Sequence, residues 1–259
     1  MDAPAENELW QLLNDVDDFL EGGFRLPHAS PLSIPAVPPS ASRAVRTTDP
    51  ESRAAGAGAS EESASGVEEE LPPNERKRRL AELGARVAAC THCRLHATRK
   101  NAVPGTGVID PLVMVIGEGP GADEDASGLP FVGRAGQYLD KWLEAIDISR
   151  HKNAYITNIV KCRPPNNRDP QPDESDACIP YLIEQITLVR PTTILSVGRI
   201  ASQILIGRFD SIGSLRGRVY QFAGRPLVPT YHPSGVLRNP QYRRPVWEDM
   251  KLLRSILPE

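Results

Sequence analysis

Apolar residues fall into two rhythms once the chain passes Glu75. Short unbroken apolar runs alternate with longer stretches in which apolar residues recur every three or four positions. Leu112-Val113-Met114-Val115-Ile116, Ala154 to Val160, Thr193-Ile194-Leu195-Ser196-Val197 and Leu227-Val228-Pro229-Thr230-Tyr231 predict four buried strands. Helices are predicted over 75–88, from Gly136 to Ile146, from Pro172 to Arg190 despite Pro180, after Gly198 to about Ile206, and from Val246 to Leu257. The alternation implies an α/β fold, a three-layer α/β/α arrangement around a central, mostly parallel four-stranded sheet. Ligands of such sheets bind beyond the carboxyl ends of the strands. Three segments stand there: Gly117–Gly121, Asn158–Arg163 and His232–Arg238.

Residues 1–74 follow neither rhythm and hold 9 of the 25 prolines. From Pro27 to Pro73 the text is mostly Pro, Ala, Ser, Gly and Glu, with too little apolar surface to offset ordering entropy, and is expected to be disordered. Before it, Leu9, Leu12, Leu13, Val16, Phe19 and Leu20 share helical spacing, and Gly22-Gly23 ends the run. This acidic helix, at 6–21, either docks on a protein partner, folds back on the rest of the chain, or has no role. The expected domains are therefore an extension over 1–74 and a folded domain over 75–259.

Charge divides at the same place. Residues 1–74 carry 14 Asp/Glu against 4 Lys/Arg, and residues 75–259 carry 19 against 26, within a formal net charge of -3. A basic domain behind an acidic tail fits a polyanion ligand, although basic surfaces also occur on proteins that never touch nucleic acid. No run of about 18 apolar residues marks a membrane span, and no apolar signal segment opens the chain. A cytoplasmic protein is expected.

Four cysteines then change the picture. Cys90-Thr91-His92-Cys93 is a Cys-x2-Cys pair, and Cys162 and Cys178 lie far downstream. Two local and two distant thiolates suit a tetrahedral zinc or a 4Fe–4S cluster. His92 and His96 are spare ligands. Two disulfides, or four unrelated buried thiols, are the alternatives.

The strand-end segments carry the remaining chemistry. Gly117-Glu118-Gly119-Pro120-Gly121 lets backbone N–H groups approach a ligand. Its glycine spacing is wrong for a dinucleotide fingerprint, and no Gly-Lys-Ser/Thr follows to make a Walker A loop. Phe131, one of five phenylalanines, is either a stacking platform for a base or a core plug under the loop. Asn158 ends an apolar strand, where its amide could pair with a base edge or cap the loop. Lys161, Arg163 and Arg168 offer phosphate contacts or solvated charge. In His232-Pro233-Ser234-Gly235-Val236-Leu237-Arg238, apolar Val236-Leu237 in a polar loop favours a functional reading over a structural histidine.

Together GEGPGADEDASGLPFVGRAGQYLD (Gly117–Asp140), TNIVKCRPPNNRDP (Thr157–Pro170), YHPSGVLRNP (Tyr231–Pro240) and the order of the four cysteines resemble the iron–sulfur, type 4 branch of the uracil-DNA glycosylase superfamily. The resemblance runs from about Leu80 to Leu257. It implies that residues 75–259 form a catalytic domain that hydrolyses the N-glycosidic bond of uracil in single- and double-stranded DNA and leaves an abasic site. It implies a structural 4Fe–4S cluster on Cys90, Cys93, Cys162 and Cys178. Phe131 would stack on uracil and Asn158 would read its edge. A fixed amide accepts uracil's N3–H donor and O4 acceptor and leaves polar groups unpaired against cytosine. His232, as a neutral imidazole, would donate to O2, where negative charge grows as the bond breaks. Gly117, Glu118 and Gly119 would line the pocket and position water. Aligned on Gly117 and Pro120, the Asp and Tyr that the best-known branch uses for water positioning and methyl exclusion become Gly119 and Gly121. The water's partner therefore stays open among Glu118, Asp123 and the Asn158 backbone.

The resemblance also implies base flipping, with Val236 or Leu237 filling the gap in the stack. Ser234, Arg238 and Arg163 complete the expected DNA-binding set, in a monomer; residues 1–74 lie outside the resemblance, and a protein partner is one of the three readings of their acidic helix. Two other readings keep the fold. Some relatives trap uracil-DNA covalently through a histidine in an extra basic loop, but the corresponding Leu215-Arg216-Gly217-Arg218-Val219-Tyr220 has none. A non-catalytic iron–sulfur DNA-binding module is the third.

Overall fold

The computed structural model describes residues 71–258. The expected disordered stretch and acidic helix of residues 1–74 lie almost wholly outside the described residues. The first helix, α1 (Pro73–Ala89), starts with proline in its first turn, where a missing N–H costs nothing. Next come strands β1 (Thr106–Gly107) and β2 (Val113–Gly117), then helices α2 (Ala122–Ser127) and α3 (Arg134–Glu144). Strand β3 (Ala154–Asn158), helix α4 (Pro172–Val189), strand β4 (Thr193–Val197) and helices α5 (Arg199–Ile206) and α6 (Ile212–Leu215) follow. The chain closes with β5 (Tyr220–Phe222), β6 (Arg225–Thr230), α7 (Pro233–Arg238) and α8 (Arg243–Ser255).

The strand order is β1-β3-β2-β4-β6-β5. The inner four strands are mutually parallel, as their apolar runs predict, while β1 and β5 pair antiparallel at the two edges. The sheet thus has six strands, not the expected four. The missed strands are two and three residues long and too short to show a period. A two-residue hairpin joins β5 to β6 through Ala223 and Gly224, both at positive φ, as the twist of paired strands requires.

Residues 113–117, 154–158 and 193–197 are buried along their whole length, so both faces of the sheet are covered. Met114 and Ile116 join Tyr155, Ile194 and Leu227 in a core with Leu182 and Ile186 of α4 and Leu205 of α5. Val113 and Val115 point the opposite way and are equally buried. On the second side α3 packs against α7 and α8, and α8 against β6.

Register fixes the site. Gly117, at the end of β2, pairs with Asn158, at the end of β3. Val197 pairs with Thr230, two residues before His232. The three sequence segments therefore meet at the carboxyl ends of the inner strands.

Candidate active site

A cavity of about 440 Å³ opens at the carboxyl ends of the parallel strands. Glu118, Gly119, Phe131, Asn158, His232, Ser234 and Arg238 all line it. Gly117 lies directly behind them. A methyl group there would strike Asn158 Oδ1 and come within 2.6 Å of Phe131 Cζ, so glycine lets the amide and the ring share one corner. Gly119 makes room in the same way, since its added carbon would sit 2.7 Å from Val160 Cγ2.

Asn158 is 1 % exposed, yet neither its Oδ1 nor its Nδ2 has a hydrogen-bond partner within the protein. A buried amide without partners costs roughly 1–3 kcal/mol. The backbone around it is firmly held. Lys161 is fully buried, and its Nζ donates to Asn158 O at 2.6 Å, Thr157 Oγ1 at 2.7 Å and Gln185 Oε1 at 2.7 Å. Burial pushes the Lys161 ammonium down to about 7. Lys161 is thus neither a phosphate contact nor a solvated charge, the two readings its basic neighbourhood offers, but an anchor under the strand end.

Phe131 is buried, and its ring centroid lies 5.8 Å from that of His232. Its backbone is left-handed at φ 52, an uncommon state for a non-glycine residue. Arg150 holds it there. Arg150 Nη2 donates to Phe131 O at 2.8 Å and to the Asp140 carboxylate at 2.7 Å, and Nη1 donates to Pro130 O at 3.2 Å. Glu124 supports the same loop from the other side, accepting from the Val132, Gly133 and Gly121 amides at 2.9, 3.1 and 3.0 Å. Neither support was recognisable in the sequence. Glu124 lay in an acidic loop, and Arg150 lies 19 residues from Phe131. A glutamate at the third position of a short helix was the available signal for Glu124.

His232 caps α7. Its Nδ1 accepts from the Ser234 amide at 3.2 Å and lies 2.8 Å from Ser234 Oγ. An accepting Nδ1 leaves the proton of the neutral ring on Nε2. Burial, reinforced by the Arg238 charge and opposed by Glu124, pushes the imidazolium down to about 4. That direction favours the neutral ring. Glu118 moves the other way. Burial first, then the charge of Asp169, raises its carboxyl to about 7, against the pull of Arg199. Asp169 and Arg199, which also line the cavity, form an ion pair at 2.7 Å. Asp123 is exposed and lies outside the cavity lining.

The segment expected to be a loop at His232–Arg238 is mostly helix, because Pro233 starts a turn that the His232 ring caps. Val236 faces inward and is 0 % exposed. That burial corrects the expectation of Val236 as a DNA contact: the apolar side chain of this segment that reaches the surface is Leu237, which is half-buried, followed by exposed Arg238. Arg163 lies outside the cavity lining and is held at 2.8 Å by Asn167 Oδ1.

The four cysteines are unpaired and line a second, smaller cavity, walled also by His92, His96 and Tyr181. Cys162 Sγ accepts from Arg99 Nη1 at 3.0 Å and Cys178 Sγ from the Lys161 amide at 3.3 Å. His96 Nδ1 is engaged with Cys93 O at 2.8 Å. Among the described residues, no three Cys, His, Asp or Glu side chains converge on a point where they could share one metal ion.

The sequence model of the uracil DNA glycosylase superfamily matches residues 104–251. A type-4 uracil-DNA glycosylase of Pyrobaculum aerophilum is 44% identical over 181 residues, 67% of this chain and 92% of the relative. One from Thermotoga maritima is 43% identical over 176 residues, 66% of this chain and 91% of the relative. A type-5 uracil-DNA glycosylase of Pyrobaculum aerophilum is more distant, at 31% over 148 residues, 51% of this chain and 65% of the relative. The chain belongs to the uracil DNA glycosylase superfamily, in its type-4 branch.

Proposed function

We propose that residues 75–259 hydrolyse the N-glycosidic bond of uracil in DNA by the following division of labour. The observation that carries the reading is the buried, unpartnered amide of Asn158, which lines one cavity with Phe131 and His232. Uracil stacks on Phe131. Asn158 Oδ1 accepts from N3–H, and Nδ2 donates to O4. The N1–C1′ bond breaks with its electron pair going to the base, and His232 Nε2–H donates to O2 as charge collects there. Water adds to C1′ of the oxocarbenium-like sugar, and its proton ends on the departed base or on a carboxylate. Of the three candidates for holding that water, Glu118 is favoured. It lines the cavity and ionises near the working pH, as a general base should. Asp123 stands outside, and the Asn158 carbonyl is engaged by Lys161. Leu237 enters the stack that uracil leaves, with Arg238 and Ser234 near phosphate.

Cys90, Cys93, Cys162 and Cys178 would hold a structural 4Fe–4S cluster. Support comes from four unpaired thiols around one hollow, joined from one local pair and two distant positions. Free thiols also fit the cytoplasm. The protein would act as a monomer, and the acidic 1–74 segment would take a protein partner. No described helix is long and apolar enough to cross a membrane.

The test is a uracil-containing oligonucleotide incubated with the protein, treated with alkali and run on a denaturing gel. Strand cleavage is expected. A heat-stable shifted band would mean covalent trapping, and neither product would mean binding alone.

A further inference from the structure

We infer that Arg99 is a positioning residue for the cysteine cavity, a clasp joining two of its ligand-bearing arms. The inference rests on the iron–sulfur reading of that cavity. Arg99 Nη1 donates to Cys162 Sγ at 3.0 Å, and Nη2 donates to Ala88 O at 2.6 Å. Ala88 lies in the last turn of α1, two residues before Cys90. Cys162 follows β3, 63 residues beyond Arg99. One planar guanidinium therefore ties the Cys90–Cys93 arm to the Cys162 arm.

Three physical features favour arginine here. The Ala88 carbonyl is one of the last four of α1 and has no partner within that helix, so the guanidinium satisfies an orphan acceptor. A cation at a helix C-terminus also matches the macrodipole. The two N–H donors leave a rigid fork, so both acceptors are served at once, whereas a lysine ammonium is a point charge on a flexible stem. The hydrogen bonds to the Cys90 and Cys178 sulfurs from His92 and Lys161 come from backbone amides. Among the described residues, Arg99 is the charged side chain hydrogen-bonded to a cysteine sulfur. It lines the cysteine cavity and not the 440 Å³ cavity.

Partners one shell outside a metal site orient the ligands, and their loss costs about 10–100-fold in metal affinity. The test uses the full chain as purified, with Arg99→Met and Arg99→Lys beside it. Iron and acid-labile sulfide per chain are measured, then the half-life of the visible absorption under an iron chelator. Arg99→Met should shorten that half-life by about tenfold or more. Arg99→Lys, which keeps the charge but not the fork, should fall short of wild type by at least about threefold. Excision per iron-bearing chain should stay within about twofold for both. Wild-type bleaching rates in both variants would overturn the clasp. So would full iron retention with a lost excision rate, which would place Arg99 in the base site instead. If Arg99→Met does not fold, the Arg99→Lys half-life decides. A wild-type protein without iron would overturn the cluster reading itself, and the clasp with it.

Discussion

Replacing Asn158 with alanine should separate activity from stability. Its Oδ1 and Nδ2 are both buried and both lack a partner within the protein, while its backbone is paired with Gly117 and held by Lys161. An unpaired buried amide costs roughly 1–3 kcal/mol, so truncation relieves the folded state of that burden. The cavity left by so small a side chain gives back about 1 kcal/mol. The balance is near zero or stabilising. For a domain of this size, 1 kcal/mol moves Tm by about 2–4 °C, so Asn158→Ala should melt level with wild type or a few degrees higher. Excision should collapse. Two hydrogen bonds to the base edge are lost, and sites built on such bonds discriminate by about 10⁴, so a fall in kcat/KM of at least about 10³ is expected. The assay is single-turnover cleavage of a uracil oligonucleotide, read beside a thermal melt of the same sample. A variant that melted well below wild type and still excised uracil would refute the reasoning, because the amide would then be a structural bond-former.

Three further outcomes follow from the same geometry. Arg150→Met removes the donors that hold Phe131 in its left-handed conformation, so excision should fall about 10–100-fold and stability by about 2–4 kcal/mol; a denaturant melt shows the second, and unchanged activity would mean that the ring holds itself. Glu118 holds its proton up to about 7 when folded, so between pH 4.5 and 7 the unfolded chain releases a proton that the folded one keeps, and stability falls as pH rises. His232 opposes this, since below about 6.5 the unfolded imidazole gains a proton that the folded ring refuses until about 4. Glu118→Gln should therefore expose a steeper loss of Tm on acidification from pH 6.5 to 4.5, and matching pH profiles for variant and wild type would contradict the Glu118 shift. Leu237→Ala should slow excision from double-stranded DNA more than from single-stranded DNA, while equal losses would remove the wedge role.

How much of this could be read beforehand depended on whether a residue's chemistry was out of place locally. An amide closing an apolar strand, a phenylalanine among glycines and a histidine before a proline each broke the pattern around them, and all three face the 440 Å³ cavity. The four parallel strands were legible for the complementary reason: burial on both faces leaves short runs dominated by apolar residues, unbroken in Leu112–Ile116 and interrupted by Thr, Ser or Pro in the others. The edge strands β1 and β5, at two and three residues, never reach a length at which period matters.

The supports behind the site were illegible because they act on backbone carbonyls and amides, which residues of every type carry. Nothing in the sequence marks Phe131 O as the target of Arg150, or Ala88 O as the target of Arg99. Lys161 shows the cost of reading by neighbourhood. Its basic neighbourhood offers phosphate contact or solvated charge, yet it is fully buried and spends its three donors on Thr157, Asn158 and Gln185. Val236 fails in the same direction: the family resemblance offers it or Leu237 as the wedge, but four positions after His232 it lies one helical turn on and faces the core. Polar context in the sequence cannot separate a side chain that meets DNA from one that meets its own fold. The separation comes from strand register and helix phase, which bring Gly117, Asn158 and His232 together and turn Lys161 and Val236 away.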